Sequence, residues 1–327
     1  MCMVLFLGAS DIEKLISMNE TINVVEKSFR ELGEGTAEMT ERGVIGIPDA
    51  SGWLGIMTAY LRGMNALGTK AVTVFTRNDA SGKSTTQGTM LLLDPLSGDL
   101  LSIMDATFIT AMRTGATTGI ATKYLARTDS KIIGIFGAGI QAKTQLMAVS
   151  AVREIERVAV YTPTNSRAPR FVEEMSGLLN IQVERVRDLR DAVNSDIIIT
   201  ATTSPTPLFD GELIYPGTHV NCIGAHTKDT RELDSVGIKR GKLIVDLKSS
   251  AMKEAGEIIM PIESGELTPD HISAELSDII SGKSTGRENK DEITIFKSTG
   301  LSIEDVATAK LVYDKAIKEG IGTEVTL

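Results

Sequence analysis

The chain has 327 residues, 42% of them hydrophobic and 24% charged, which suits a globular protein of about two domains and excludes a disordered one. Its net charge of −9 leaves no basic surplus to displace counterions from phosphates, which argues against nucleic acid and anionic membranes as partners. Its apolar runs, such as Ile197-Ile-Ile199, are strand-sized and far short of the ~18 residues that a membrane span needs.

The opening run Met1–Leu7 lacks the basic leader and cleavage site of a secretory signal and reads as a first strand. Cys2 and Cys222 are isolated, with neither disulfide nor zinc spacing, so a reducing, cytoplasmic setting is expected and no metal is implied. Ser10-Asp-Ile-Glu13 has the form of a capping box for a short helix ending near Met18, and a second helix is expected from about Glu20 to Leu32. Between Gly43 and Met104 the pattern turns to short strands: Val44–Ile47, Leu54–Met57, Lys70–Phe75, Thr89–Leu93 and Leu100–Met104. The last two are joined by the turn residues Asp94–Asp99. This predicts a mixed first domain on a largely antiparallel sheet.

Asp105 or Thr107 is placed to cap a long helix through Arg127, with Ile109, Met112, Ala116 and Ile120 on one face. From Lys131 strands and helices alternate: 131–137, 141–152, 157–163, 167–179, 181–186, 188–194 and 196–202. Further strand-like runs follow at 219–225 and 242–247. Such alternation predicts a parallel sheet covered by helices. The stretch Ser281–Lys290 reads as an exposed loop. Ser302 and Asp305 offer a capping box for a terminal helix that presents Ile303, Val306, Ala309, Tyr313 and Ile317 on one face and ends at Gly320.

Within the alternating region, the strand Lys131–Phe136 runs into Gly137-Ala138-Gly139-Ile140-Gln141-Ala142, a G-x-G-x-x-A turn at the start of a helix. Gly137 permits the tight turn, Gly139 lets backbone approach a pyrophosphate, and Ala142 lets the helix pack on the strand. The phosphates would then meet free amides at the positive end of the helix. The next strand ends in Thr162, Thr164 and Arg167, where an acidic residue would bind the adenosine ribose and repel a 2′-phosphate. Hydroxyls and an arginine there favour NADP, with NAD the alternative.

Several ordered motifs, Met57-Thr-Ala-Tyr60, Gly68-Thr-Lys70, Met104-Asp-Ala-Thr107, Arg113–Thr117, Gly137–Gln141, Gly217–Ala225, Arg231-Glu-Leu-Asp234 and Ile295–Gly300, make the chain similar to the ornithine cyclodeaminase/μ-crystallin family over nearly its whole length. The resemblance implies an α/β fold in which a Rossmann-type parallel-sheet domain, 128–300, is inserted in a mixed α+β substrate and dimerisation domain, 1–127 with 301–327. It implies a homodimer.

By itself, Lys70 in an apolar strand is either snorkelling at an edge or directed into a polar site. Arg113 on a small, apolar helix face needs an anion, supplied by a substrate or by the protein itself. The resemblance gives Lys70 a place beside the substrate and Arg113 the substrate carboxylate, with Arg42 as a second carboxylate-binding arginine. His226 stands where cyclodeaminases have an aspartate, which makes it a candidate for proton exchange. Cofactor contacts are implied for Thr86, Thr202, Thr203, Ile223 and Ser298. Gly55 replaces the acidic residue of ornithine-cyclising members, and Ser84–Gly88 keeps only part of the pattern of many ketimine reductases. The implied reaction is nicotinamide-dependent reduction of a small cyclic imino acid. Alanine dehydrogenase, ornithine cyclodeaminase and a nucleotide-binding protein without turnover are the competing readings.

Overall fold

The computed structural model describes residues 3–75, 77–78, 85–163 and 167–326. They form two compact units, Met1–Thr114 with Leu301–Leu327, and Gly115–Gly300. The boundary falls inside the helix Ala106–Leu125 rather than after it.

In the first unit, β1 (Met3–Leu7), β2 (Ala37–Met39), β3 (Gly43–Ile47), β4 (Gly52–Leu61), β5 (Ala66–Phe75), β6 (Thr86–Leu93) and β7 (Leu100–Asp105) share a sheet with the C-terminal strand Thr323–Thr326. All pairings are antiparallel except β1 with β7. β4 and β5 are ten residues each, longer than their apolar cores suggest, because the pairing continues through Thr58–Thr69 and Ala59–Gly68. Close approach at Gly68 demands a glycine: a Cβ there would lie 2.8 Å from the Leu91 carbonyl oxygen.

The first two helices begin elsewhere than expected. Helix Ala9–Leu15 is capped at Gly8, whose N–H donates to Asp11 Oδ2 at 3.1 Å, so Ser10 and Glu13 do not form the box. The reciprocal box is Ser17 with Glu20, which starts the helix Met18–Glu34. Helix Ala106–Leu125 opens with Thr107 N–H donating to Asp105 Oδ1 at 2.9 Å. It has no single apolar face, since every residue from Ala111 to Thr122 is buried.

The terminal helix Ser302–Glu319 corrects a second capping expectation. Glu304, not Asp305, accepts the Leu301 N–H, at 2.8 Å, and Ser302 Oγ donates to the Thr58 carbonyl. Burial of this helix runs through Ile303, Val306 and Ala309 to Val312 and Ala316, leaving Ile317 exposed. Gly320 adopts the left-handed conformation at its end, φ +68°.

In the second unit, β8 (Ile132–Phe136), β9 (Arg157–Tyr161), β10 (Gln182–Arg185), β11 (Ile197–Thr200), β12 (His219–Cys222), β13 (Lys242–Val245), β14 (Ile272–Glu275) and β15 (Thr294–Lys297) form one wholly parallel sheet. The order is β10-β9-β8-β11-β12-β15-β13-β14. Its first five positions are those of a Rossmann fold, and the order reverses between β8 and β11, where such sheets open a ligand crevice. The strands β14 and β15 were not expected. β15 carries a lysine yet lies between β12 and β13, buried throughout. His219 is buried at the start of β12, bonded to Thr294 Oγ1 and Asn221 Oδ1. Burial pushes its pKa down to about 3.

Candidate active site

In the first unit the structure gathers four buried charges. Lys70 lies on the central strand β5, between Met57 of β4 and Met90 of β6, and is 1% exposed. It is therefore not snorkelling at an edge. Its Nζ donates to Asp305 Oδ2 at 2.7 Å and approaches Thr110 Oγ1 at 3.4 Å. Arg113, buried on the helix Ala106–Leu125, donates from Nε to Asp305 Oδ1 at 3.0 Å and from Nη1 to Glu304 Oε2 at 2.9 Å. The anion required by the buried guanidinium is thus supplied in part by the protein itself.

These contacts set the proton affinities. Burial lowers that of Lys70 most strongly; Asp305 opposes the shift, Arg113 and Arg42 add to it, and the pKa settles at about 8. Burial also works against the Arg113 charge, but Asp305 and Glu304 outweigh it and hold the guanidinium firmly protonated. Arg42, half-buried just before β3, is close enough to act on Lys70 electrostatically. Glu304 and Asp305 were missed as site residues. Two adjacent acids at a helix start look like ordinary partners of its dipole, and only their complete burial shows otherwise.

At Gly55 the sequence difference has a steric counterpart. A Cβ there would lie 2.9 Å from Trp53 Cζ3, so the indole occupies the space of any side chain. Thr86 opens β6 opposite Val74, and Gln87 beside it is exposed. Ser84 and Thr164 lie outside the described residues.

In the second unit the glycine motif leads from β8 into the helix Ile140–Val152. Gly137 has φ +109°, and a Cβ on it would lie 2.4 Å from the Ala201 carbonyl oxygen. Gly139 is the N-cap and makes no side-chain cap; the position of its missing Cβ has nothing within 4 Å. Space over a long helix's N-terminal amides is what a pyrophosphate requires, so these residues fit a dinucleotide. Ala142 is fully buried against the sheet, while Ala138 and Gln141 are half-buried and Ile140 is 58% exposed.

Thr162 is buried at the end of β9, whose Tyr161 carbonyl accepts the Gly137 N–H at 3.0 Å. Arg167 is exposed at the start of the helix Ala168–Leu179. Thr202 and exposed Thr203 follow β11, Ile223 follows β12, and Ser298 follows β15 with its N–H on the Cys222 carbonyl. His226, three residues beyond Ile223, is exposed, with Nδ1 3.0 Å from the Gly224 carbonyl oxygen.

The sequence model of the ornithine cyclodeaminase/mu-crystallin family matches residues 3–320. The chain belongs to this family. A Δ1-pyrroline-2-carboxylate reductase of Thermococcus litoralis, solved with NADH and L-proline, is 48% identical, with a TM-score of 0.96 over 98% of this chain and 100% of that one. An archaeal alanine dehydrogenase, a dimer with bound NAD, is 36% identical, with a TM-score of 0.95 and 99% of each chain covered. The Δ1-pyrroline-2-carboxylate reductase of Bacillus cereus is 37% identical over 323 residues, which cover 98% of this chain and 99% of the relative.

Proposed function

We propose that this member of the family reduces a small cyclic imino acid of the Δ1-pyrroline-2-carboxylate type with a nicotinamide dinucleotide. The observation that carries the reading is the buried cluster of Lys70, Arg113, Glu304 and Asp305. Two cations fixed by two carboxylates form a rigid site that keeps its orientation when an anionic substrate arrives. Arg113, with Arg42, orients the substrate carboxylate, and Lys70, with a proton affinity near neutrality, holds a proton for the imine nitrogen. A bound nicotinamide supplies the hydride. His226 is a second candidate for proton exchange, its imidazole exposed to solvent beside the loop that follows β12.

The cofactor reading rests on the Gly137 and Gly139 geometry and on relatives solved with NADH or NAD. From Tyr161 through Arg167 the chain carries no carboxylate to repel a 2′-phosphate, so NADPH should serve at least as well as NADH. The exposed apolar residues of β3 and its neighbour, Val44, Ile45, Ile47 and Ile56, favour a homodimer with this surface covered by the second copy.

Purified protein should oxidise NADPH or NADH with Δ1-pyrroline-2-carboxylate or Δ1-piperideine-2-carboxylate, and much more slowly with pyruvate plus ammonia. Faster turnover of pyruvate plus ammonia would favour an alanine dehydrogenase instead.

A further inference from the structure

The segment Arg231-Glu-Leu-Asp234 carries part of the resemblance, yet the proposed chemistry gives it no role. Asp234 acts as a cap, accepting the Gly237 N–H at 2.8 Å and the Gly211 N–H at 3.0 Å, and Leu233 belongs to the core. Glu232 has a different setting. Its carboxylate is fully buried and serves two loops at once. Oε1 accepts the Thr202 N–H at 2.6 Å and the Thr202 hydroxyl at 2.7 Å, while Oε2 accepts the Gly224 N–H at 2.7 Å.

Those loops follow β11 and β12, and they are packed without slack. A Cβ on Gly224 would lie 2.3 Å from the Thr202 carbonyl oxygen and 2.6 Å from Glu232 Oε1. With Gly137 against Ala201, the loops after β8, β11 and β12 form one continuous rim at the C-terminal ends of the strands. Glu232 is itself braced. Its N–H donates to Glu257 Oε1 at 3.1 Å, and Glu257 Oε2 is 3.1 Å from Lys297 Nζ at the end of β15. Lys297 in turn donates to the Ala225 carbonyl, which closes the circuit on the β12 loop. Glu232, Glu257 and Lys297 are all fully buried. An apolar cluster of similar volume would stabilise the fold as well or better, so stability alone gives no reason for three buried charges.

We propose that Glu232, braced by Glu257 and Lys297, is a positioning residue that fixes the Thr202 loop and the Gly224–His226 loop where the rim receives the nicotinamide half of the dinucleotide. This rests on the reading that the second unit binds a dinucleotide. In such a sheet the two halves of the cofactor lie on either side of the order reversal. The adenosine half belongs with Gly137, Gly139 and the end of β9, none of which Glu232 touches. The role requires a carboxylate. In Glu232→Gln the amide NH2 must face either the Thr202 donors or the Gly224 N–H, so one loop loses its acceptor.

The test titrates wild type, Glu232→Gln and Glu257→Gln with NADH and, separately, with ADP-ribose, which lacks nicotinamide. In Glu232→Gln the Kd for NADH should rise about tenfold while that for ADP-ribose stays within about twofold. Glu257→Gln keeps an acceptor for the Glu232 N–H but loses the charge facing Lys297, and it should show the same selective effect at about threefold, which decides the matter should Glu232→Gln fail to fold. A general loosening of the unit would weaken both ligands alike, and that result overturns the proposal, as does unchanged NADH binding in the folded variants. Wild-type protein that binds NADH but reduces no imine refutes the reductase reading alone. Wild-type protein that binds neither ligand refutes the dinucleotide reading and this proposal with it.

Discussion

Lys70 is held where burial works against its charge and Asp305 works for it, and the balance leaves a proton exchangeable near pH 8. If the ammonium is the form that assists reduction, kcat/KM for the imine should fall as pH rises through about 8. Asp305→Asn removes the influence that raises the lysine's affinity, so its alkaline limb should lie at lower pH. Lys70→Met suits a site between Met57 and Met90 and leaves Asp305 still paired with Arg113. It should lower turnover by about 100-fold or more while NADH affinity changes little. Wild-type turnover in Lys70→Met, or a limb that does not move in Asp305→Asn, would remove Lys70 from the chemistry. The two cations were legible in the sequence because each interrupts an apolar stretch. Their carboxylate partners were not, since pairing across 235 and 192 residues leaves no local pattern.

Among the elements, β3 is exposed along its whole length, with Val44 at 57% and Ile45 at 66%. Apolar side chains in that state mark a surface meant to be covered. Light scattering should therefore find a dimer in solution, and Ile45→Glu, which sets a charge in that face, should shift it toward monomer with each unit still folded. A dimer undisturbed by Ile45→Glu would place the interface elsewhere. The elements best foreseen were those with strong periodicity and clear punctuation, such as β8, the helix after it and β9. β15 escaped notice because Thr-Ile-Phe-Lys is short and ends in a charge that becomes tolerable through distant partners such as Glu257 and Ala225. The helix Ala106–Leu125 was foreseen with one apolar face, but its burial on all sides was not, since threonines, which more often face solvent, alternate there with its alanines.

At the scale of the molecule, the chain builds a mixed sheet, then a parallel one, and returns through its last helix to deliver Glu304 and Asp305 to the first unit. That return could be read from the family resemblance but not from periodicity, which is blind to which sheet a helix joins. On the proposed function this site serves an imine rather than ornithine. Ornithine brings a second ammonium, which needs a partner when buried. At Gly55, where cyclising members carry an acid, the Trp53 ring fills the space. His226 lacks the charge of the aspartate it replaces. The most direct measurement gives one preparation Δ1-pyrroline-2-carboxylate with NADPH or NADH, and ornithine with NAD, and follows proline formed in each. Proline should form faster from the imine, and faster formation from ornithine, with release of ammonia, would assign the site to cyclodeamination instead.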